Sequence, residues 1–122
     1  MPIRRLLALL LLAFAVLTAP AVAEEKAAPV EVHLTEYKVE MPKTLLSGPT
    51  TFQIHNEGVK THSFKIEGPG IDQLLSAPVK PNTVGKLEIT LLPGEYKVYC
   101  PIGNHSAKGM TTTLTVTAKP GG

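Results

Sequence analysis

From Val30 onward the chain alternates between apolar and polar residues. Val30, Val32 and Leu34 set the pattern, which returns at Phe52 and Ile54, at His62, Phe64 and Ile66, and at Leu87, Ile89 and Leu91. It recurs at Tyr96, Val98 and Cys100, and again at Thr112, Leu114 and Val116. Residues two apart share one face of a strand, so each run predicts a strand with one side turned to a core. Between the runs lie Ser47-Gly48-Pro49, Asn56-Glu57-Gly58, Gly68-Pro69-Gly70, Pro81-Asn82 and Pro93-Gly94. Such residues make turns and interrupt helices. The expected fold is all-β, an antiparallel β-sandwich with Greek-key connections. After Leu34 the apolar positions change phase to Tyr37, Val39 and Met41, which predicts a bulge or bend near Thr35-Glu36. Within Ile71 to Lys80 a single helical turn is expected at Asp72 to Ser76, and the Gly-rich tail after Lys119 is expected to fray.

The first 23 residues follow another rule. Arg4 and Arg5 precede a leucine-rich run from Leu6 to Leu17, and Ala21-Val22-Ala23 closes the segment with small residues. This is the layout of a cleaved secretory signal, and the apolar run falls short of the roughly 20 residues that a membrane span requires. The expected organisation is a signal peptide over 1–23 and one small domain over 24–122, periplasmic and soluble after cleavage, with no stable membrane insertion. No cysteine follows the signal, which excludes lipid attachment there.

Export changes the reading of both charge and cysteine. The chain's 12 basic residues include Arg4 and Arg5, so past the signal ten lysines face the 10 acidic residues. That balance leaves no basic surface for nucleic acid and no strong field for steering partners. Exported cysteines usually pair as disulfides, yet Cys100 is the only cysteine in the chain.

Strand parity sorts the residues able to explain it. His62 and Cys100 share inward parity with their apolar neighbours and Met110 shares it with the last strand, whereas His33 and His55 are out of phase and should face solvent. Singly, each inward residue has an ordinary role as core filler or hydrogen-bonded histidine. Jointly they do not, because Cys100, His105 and Met110 recur at intervals of five around the loop Pro101–Asn104, which can fold its flanking donors about one point. Two histidines and a cysteine near a trigonal plane, with a weak axial methionine, make the electron-transfer copper site. Zinc more often takes four strong ligands. A cysteine–histidine nucleophile is the enzymatic reading of the same pair, but no third residue is evident to orient the histidine and an inward thiol suits a bulky substrate poorly.

These residues resemble the cupredoxins, the blue copper proteins that include plastocyanin, azurin and rusticyanin. The likeness runs from VEVHLTEYKVEMPKTL through GPTTFQIHNEGVKTHSFKIEG and LLPGEYKVYC to the end of the chain. It implies that His62, following the Asn-x-Gly turn, is the early ligand, and that Cys100, His105 and Met110 are the late ones. Four residues separate each pair of late ligands, as in rusticyanin-like loops. Ser63 stands where asparagine is commoner, and its backbone N–H is expected to donate to the Cys100 sulfur. A binuclear copper centre would need a second cysteine in the loop and is ruled out.

The resemblance implies one copper ion in a type 1 site and a role as a monomeric electron shuttle rather than an enzyme. Redox partners such as a cytochrome, oxidase or reductase are expected to dock near His105, on an apolar rim of Pro101, Ile102, Gly103 and Ala107. The alternative is a copper-trafficking or metal-uptake accessory that uses the same ligands without redox cycling. Tyr96 is expected to close a strand corner through its hydroxyl.

Overall fold

The computed structural model describes Ala13, Ala15 and residues 28–120. The expected signal peptide, those two alanines apart, and the last two residues of the tail lie outside it. The strands are β1 (Val30–Thr35), β2 (Lys38–Glu40), β3 (Thr44–Leu46), β4 (Gly48–Asn56), β5 (Lys65–Gly68), β6 (Ile71–Leu74), β7 (Val84–Leu91), β8 (Gly94–Tyr99) and β9 (Thr111–Thr117). The helical structure among the described residues is one 3₁₀ turn at Ser106–Lys108.

The strands form a β-sandwich of two sheets, ordered β2-β1-β4-β7 and β3-β9-β8-β5-β6. Both sheets are mixed. β1 runs parallel to β4 and β3 parallel to β9, while the other pairings are antiparallel. A period of two fixes which face of a strand is buried but says nothing of its partner or direction, so alternation alone suggested antiparallel pairing throughout. β3 leaves the first sheet to pair with the second before β4 returns, and such a crossover lets β1 and β4 run side by side in one direction.

The inward faces meet as the alternation predicts. Val32, Leu34, Phe52, Ile54, Phe64, Ile66, Val98 and Leu114 are fully buried, and Tyr96, Leu91 and Val116 nearly so. Each such Val, Leu, Ile or Phe contributes about 1.5–3 kcal/mol relative to an exposed side chain. Tyr96 carries its polar end into this core, where its hydroxyl donates to the Leu92 carbonyl at 2.6 Å and accepts from the Leu92 N–H at 3.0 Å. Its ring lies against Gly68, where a Cβ would come within 2.3 Å of the ring.

Two local expectations are corrected. The phase change after Leu34, expected as a bulge or bend near Thr35-Glu36, is not a bulge but a full hairpin: Thr35 pairs with Lys38 across the two-residue loop Glu36-Tyr37, with Tyr37 at φ 62°. Reversal, rather than an extra residue, resets the parity, and it leaves Glu36 and Tyr37 at the sandwich end. The helical turn expected at Asp72–Ser76 is absent, because Pro69-Gly70 closes a second hairpin that pairs β6 with β5 from Gly68↔Ile71 to Lys65↔Leu74. Strand pairing there overrides a weak local helix signal.

Candidate metal centre

His62, Cys100 and His105 reach one point by separate routes. His62 follows β4 across the loop 57–61, which buried Asn56 holds from beneath. The Asn56 amide donates to the carbonyls of Lys60 at 2.7 Å and Val79 at 2.8 Å, and its oxygen accepts from the Gly58 N–H at 2.9 Å. The His62 backbone then exchanges hydrogen bonds with Val79, at 3.1 and 2.7 Å, so its side chain is aimed by an isolated bridge rather than by a full strand. Cys100 directly follows β8 and continues its buried row of Tyr96 and Val98. The loop after it is tied by its own turns: His105 N–H donates to Ile102 at 3.1 Å, and Lys108 and Met110 N–H both donate to the His105 carbonyl at 3.1 Å. Cys100 N–H donates to the Met110 carbonyl at 3.0 Å and closes the loop.

Each of His62, Cys100 and His105 thereby offers one ligand atom, and these three atoms lie within 4.8 Å of one another. His62, Cys100 and Met110 have no exposed surface, while His105 is partly exposed. Met110, the fourth expected ligand, is bound to the other two loop residues through the backbone bonds just described. The Ser63 N–H donates to Cys100 Sγ at 3.4 Å, as the family resemblance implied. Cys100 Sγ lies 3.6 Å from His105 Nδ1.

The donor set fits a metal. Nδ1 of His62 is buried without a hydrogen-bond partner, a state that costs free energy unless something fills it. Thiolate, two imidazoles and thioether share one natural partner, a soft or borderline transition ion, with copper the best match. A nucleophilic role suits the cysteine poorly, since a thiol with no exposed surface has no path to a substrate.

Residues that sequence patterning did not mark complete the pocket. The Glu36 carboxylate lies 3.3 Å from His62 Nε2 and accepts from the N–H groups of Val59 at 2.7 Å and Lys60 at 3.0 Å. Those bonds, led by the one from Lys60, hold Glu36 below the usual carboxylate range. An ionised Glu36 beside Nε2 favours the tautomer that carries its proton there and leaves Nδ1 free to ligate. Gly58 makes room for it, because a Cβ there would stand 2.3 Å from Glu36 Oε1. The signal that pointed to Glu36 was the phase change itself. Asn56 was legible as a polar residue in the inward row of Phe52 and Ile54.

At the rim, Tyr37 packs edge-on against His105, with ring centres 5.6 Å apart. Its hydroxyl accepts from Lys60 at 3.5 Å and from Lys108 at 3.4 Å, and Lys108 Nζ lies 4.7 Å from the ring centre. Burial, followed by the neighbouring His62 and the two lysines, pushes His105 below the ordinary histidine pKa. The imidazole is thus neutral, its ligating form, at neutral pH. Of the expected apolar rim, Pro101, Gly103 and Ala107 are exposed, whereas Ile102 packs partly into the core.

Comparisons with known proteins agree with this architecture. No curated protein matches the sequence. Among solved structures, a dithionite-reduced auracyanin from the photosynthetic bacterium Roseiflexus castenholzii is 18% identical with a TM-score of 0.59, covering 71% of this chain and 94% of its own. Auracyanin B is 19% identical with a TM-score of 0.62, over 75% of this chain and 89% of its own. A copper-containing nitrite reductase from Thermus scotoductus SA-01, 16% identical with a TM-score of 0.54, aligns over 75% of this chain but only 27% of its own. At these identities the likeness is one of fold. The family model for the cupredoxin-like domain matches residues 6–116, and on that match, with the sandwich and the clustered His62, Cys100 and His105, the chain belongs to the cupredoxin-like family.

Proposed function

We propose that this chain is a mononuclear type 1 copper protein that carries single electrons between redox partners in the periplasm. The observation that carries the reading is the closed cluster of a thiol and two imidazoles within 4.8 Å of one another, with buried Met110 tied to the same loop. Copper held by His62, Cys100, His105 and Met110 would supply a one-electron couple.

The chain's own groups prepare that chemistry. The Ser63 N–H gives the Cys100 sulfur a hydrogen bond that holds it in place. Glu36 sets the His62 tautomer. Complete burial of His62, Cys100 and Met110 keeps water from the sulfur atoms. Because the donors are held by the His62–Val79 bridge and a turn-locked loop at the end of two packed sheets, they are kept in place for either oxidation state, which keeps reorganisation small. His105, partly exposed, is the route out of the pocket, and a cytochrome, oxidase or reductase docks around it.

A carrier rather than an enzyme is supported by extent: the chain spans nearly all of the auracyanins but about a quarter of the nitrite reductase chain. The signal-like residues 1–23 support export, and no described helix is long and apolar enough to cross a membrane.

The test is to add copper(II) to the apo-protein, record the visible spectrum, and then reduce and reoxidise. An intense blue or green band that bleaches and returns is the expected result; colourless binding overturns the reading. Cys100→Ser is expected to fold, by circular dichroism, yet to lose the band, since serine supplies no thiolate for charge transfer.

A further inference from the structure

The outer face of the β2-β1-β4-β7 sheet carries a second cluster of histidine side chains, each bonded to a glutamate. His33 on β1 and His55 on β4 are direct neighbours in the parallel ladder. Their rings stack with centres 5.1 Å apart and planes 14° from parallel. Two glutamates cross the pair diagonally: Glu57 meets His33 Nδ1 at 2.5 Å, and Glu31 meets His55 Nε2. All four side chains are partly exposed, His33 by 40% and His55 by 31%. Glu40, opposite His33 on β2, is engaged by Lys38 at 2.6 Å.

We propose that His33 and His55, oriented by Glu57 and Glu31, form a second metal site that takes a divalent copper or zinc ion. Three features support it. With one nitrogen of each ring bonded to a carboxylate, the other nitrogen, Nε2 of His33 and Nδ1 of His55, remains for an outside ligand. Carboxylates on the far nitrogens of ligating histidines fix the tautomer and raise ligand basicity, which is the usual outer shell of a histidine metal site.

The spacing also fits. At metal–nitrogen distances of about 2.0–2.1 Å, two imidazoles on one ion hold their ring centres roughly 4.5–5 Å apart. The strand separation in a sheet supplies about this distance, and the two rings, 14° from parallel, would turn toward each other about their side-chain torsions to aim both nitrogens at one ion. Charge points the same way, because the two carboxylates, Glu57 and Glu31, are balanced by one divalent cation. As exposed ion pairs alone the four residues would add little to stability. This site shares no residue with the Cys100 pocket and does not depend on what that pocket binds.

Zinc(II) titration followed by histidine ring-proton resonances tests the pair directly. His33 and His55 are expected to shift together and saturably, and His55→Ala is expected to abolish the response of His33. In protein already carrying one copper at the Cys100 pocket, a further copper(II) equivalent is expected to give a second, weakly coloured paramagnetic signal. His33→Gln and His55→Ala should each weaken that binding at least about tenfold, and Glu31→Gln with Glu57→Gln by a comparable factor, with the intense visible band unchanged. Absence of any saturable shift, or wild-type affinity in both histidine variants, overturns the proposal.

Discussion

Met110 and Glu36 act on the same pocket by different means, and each makes a prediction of opposite origin. Met110, as the proposed weak axial donor, favours copper(II) slightly. Met110→Leu removes that donor and is expected to raise the reduction potential, whereas Met110→Gln adds a harder oxygen and is expected to lower it. Cyclic voltammetry of the two variants decides the matter, since shifts of one sign in both would make Met110 core filler. Glu36 acts through His62, whose Nε2 it meets at 3.3 Å. Glu36→Gln keeps an acceptor for the N–H groups of Val59 and Lys60 but removes the negative charge, so the oxidised site loses support. A rise of about 60 mV corresponds to a tenfold change in a one-electron couple, and a shift of roughly half to all of that is expected. An unchanged potential in a folded variant would limit Glu36 to bracing the loop 57–61.

The elements place these residues through a few bonds that tie strand ends together. Tyr96 closes the turn between β7 and β8 by two hydrogen bonds to Leu92, which lies two residues before Gly94 opens β8, the strand that leads to Cys100. Tyr96→Phe keeps the ring in the core and leaves the Leu92 N–H and carbonyl without their partner. The expected loss is about 1–3 kcal/mol, seen as a fall of several degrees or more in Tm for a domain of this size. The copper band of the folded variant should be unchanged, because the corner lies at the opposite end of β8 from Cys100. A Tm equal to wild type would mean that water replaces the hydroxyl. The β1–β2 hairpin matters in another way: its two-residue loop delivers Glu36 to His62 and Tyr37 to His105, so one turn supplies both an inner and an outer neighbour of the pocket.

Across the whole molecule the charges cancel in number but not in place. Lys60 and Lys108 converge on Tyr37 beside His105, which makes the rim locally positive although lysines and acidic residues are equal past the signal. Small oxidants of opposite charge read this directly. Oxidation of the reduced protein by hexacyanoferrate(III) is expected to slow several-fold as ionic strength rises to about 0.1 M, where the screening length is about 10 Å. A cationic cobalt(III) complex should show the reverse or no dependence. Lys60→Gln with Lys108→Gln should flatten the first slope. Equal salt slopes for both oxidants would show that electrons leave away from this rim.

The amino-acid sequence by itself determined the strands β1, β4, β5, β7, β8 and β9, their buried faces and the clustering of Cys100 with two histidines. Alternation is a local property, so Val32, Phe52, Phe64 and Leu114 declared their burial, and Cys100 and His62 declared theirs by sharing the parity of such neighbours. Cys100, His105 and Met110 were legible as a group because one loop carries all three. Tertiary structure decided what alternation cannot encode: that β1 lies parallel to β4, that the phase change at Thr35 is a reversal, and that Ile71–Leu74 pairs rather than coils. It also decided which distant polar residues meet. Glu36 reaches His62 across 26 positions and His33 stacks on His55 across 22, both through pairing partners that no period reveals. The physical reason is that hydrophobic burial is written residue by residue, while polar contacts between strands depend on register, which only the assembled sheets fix.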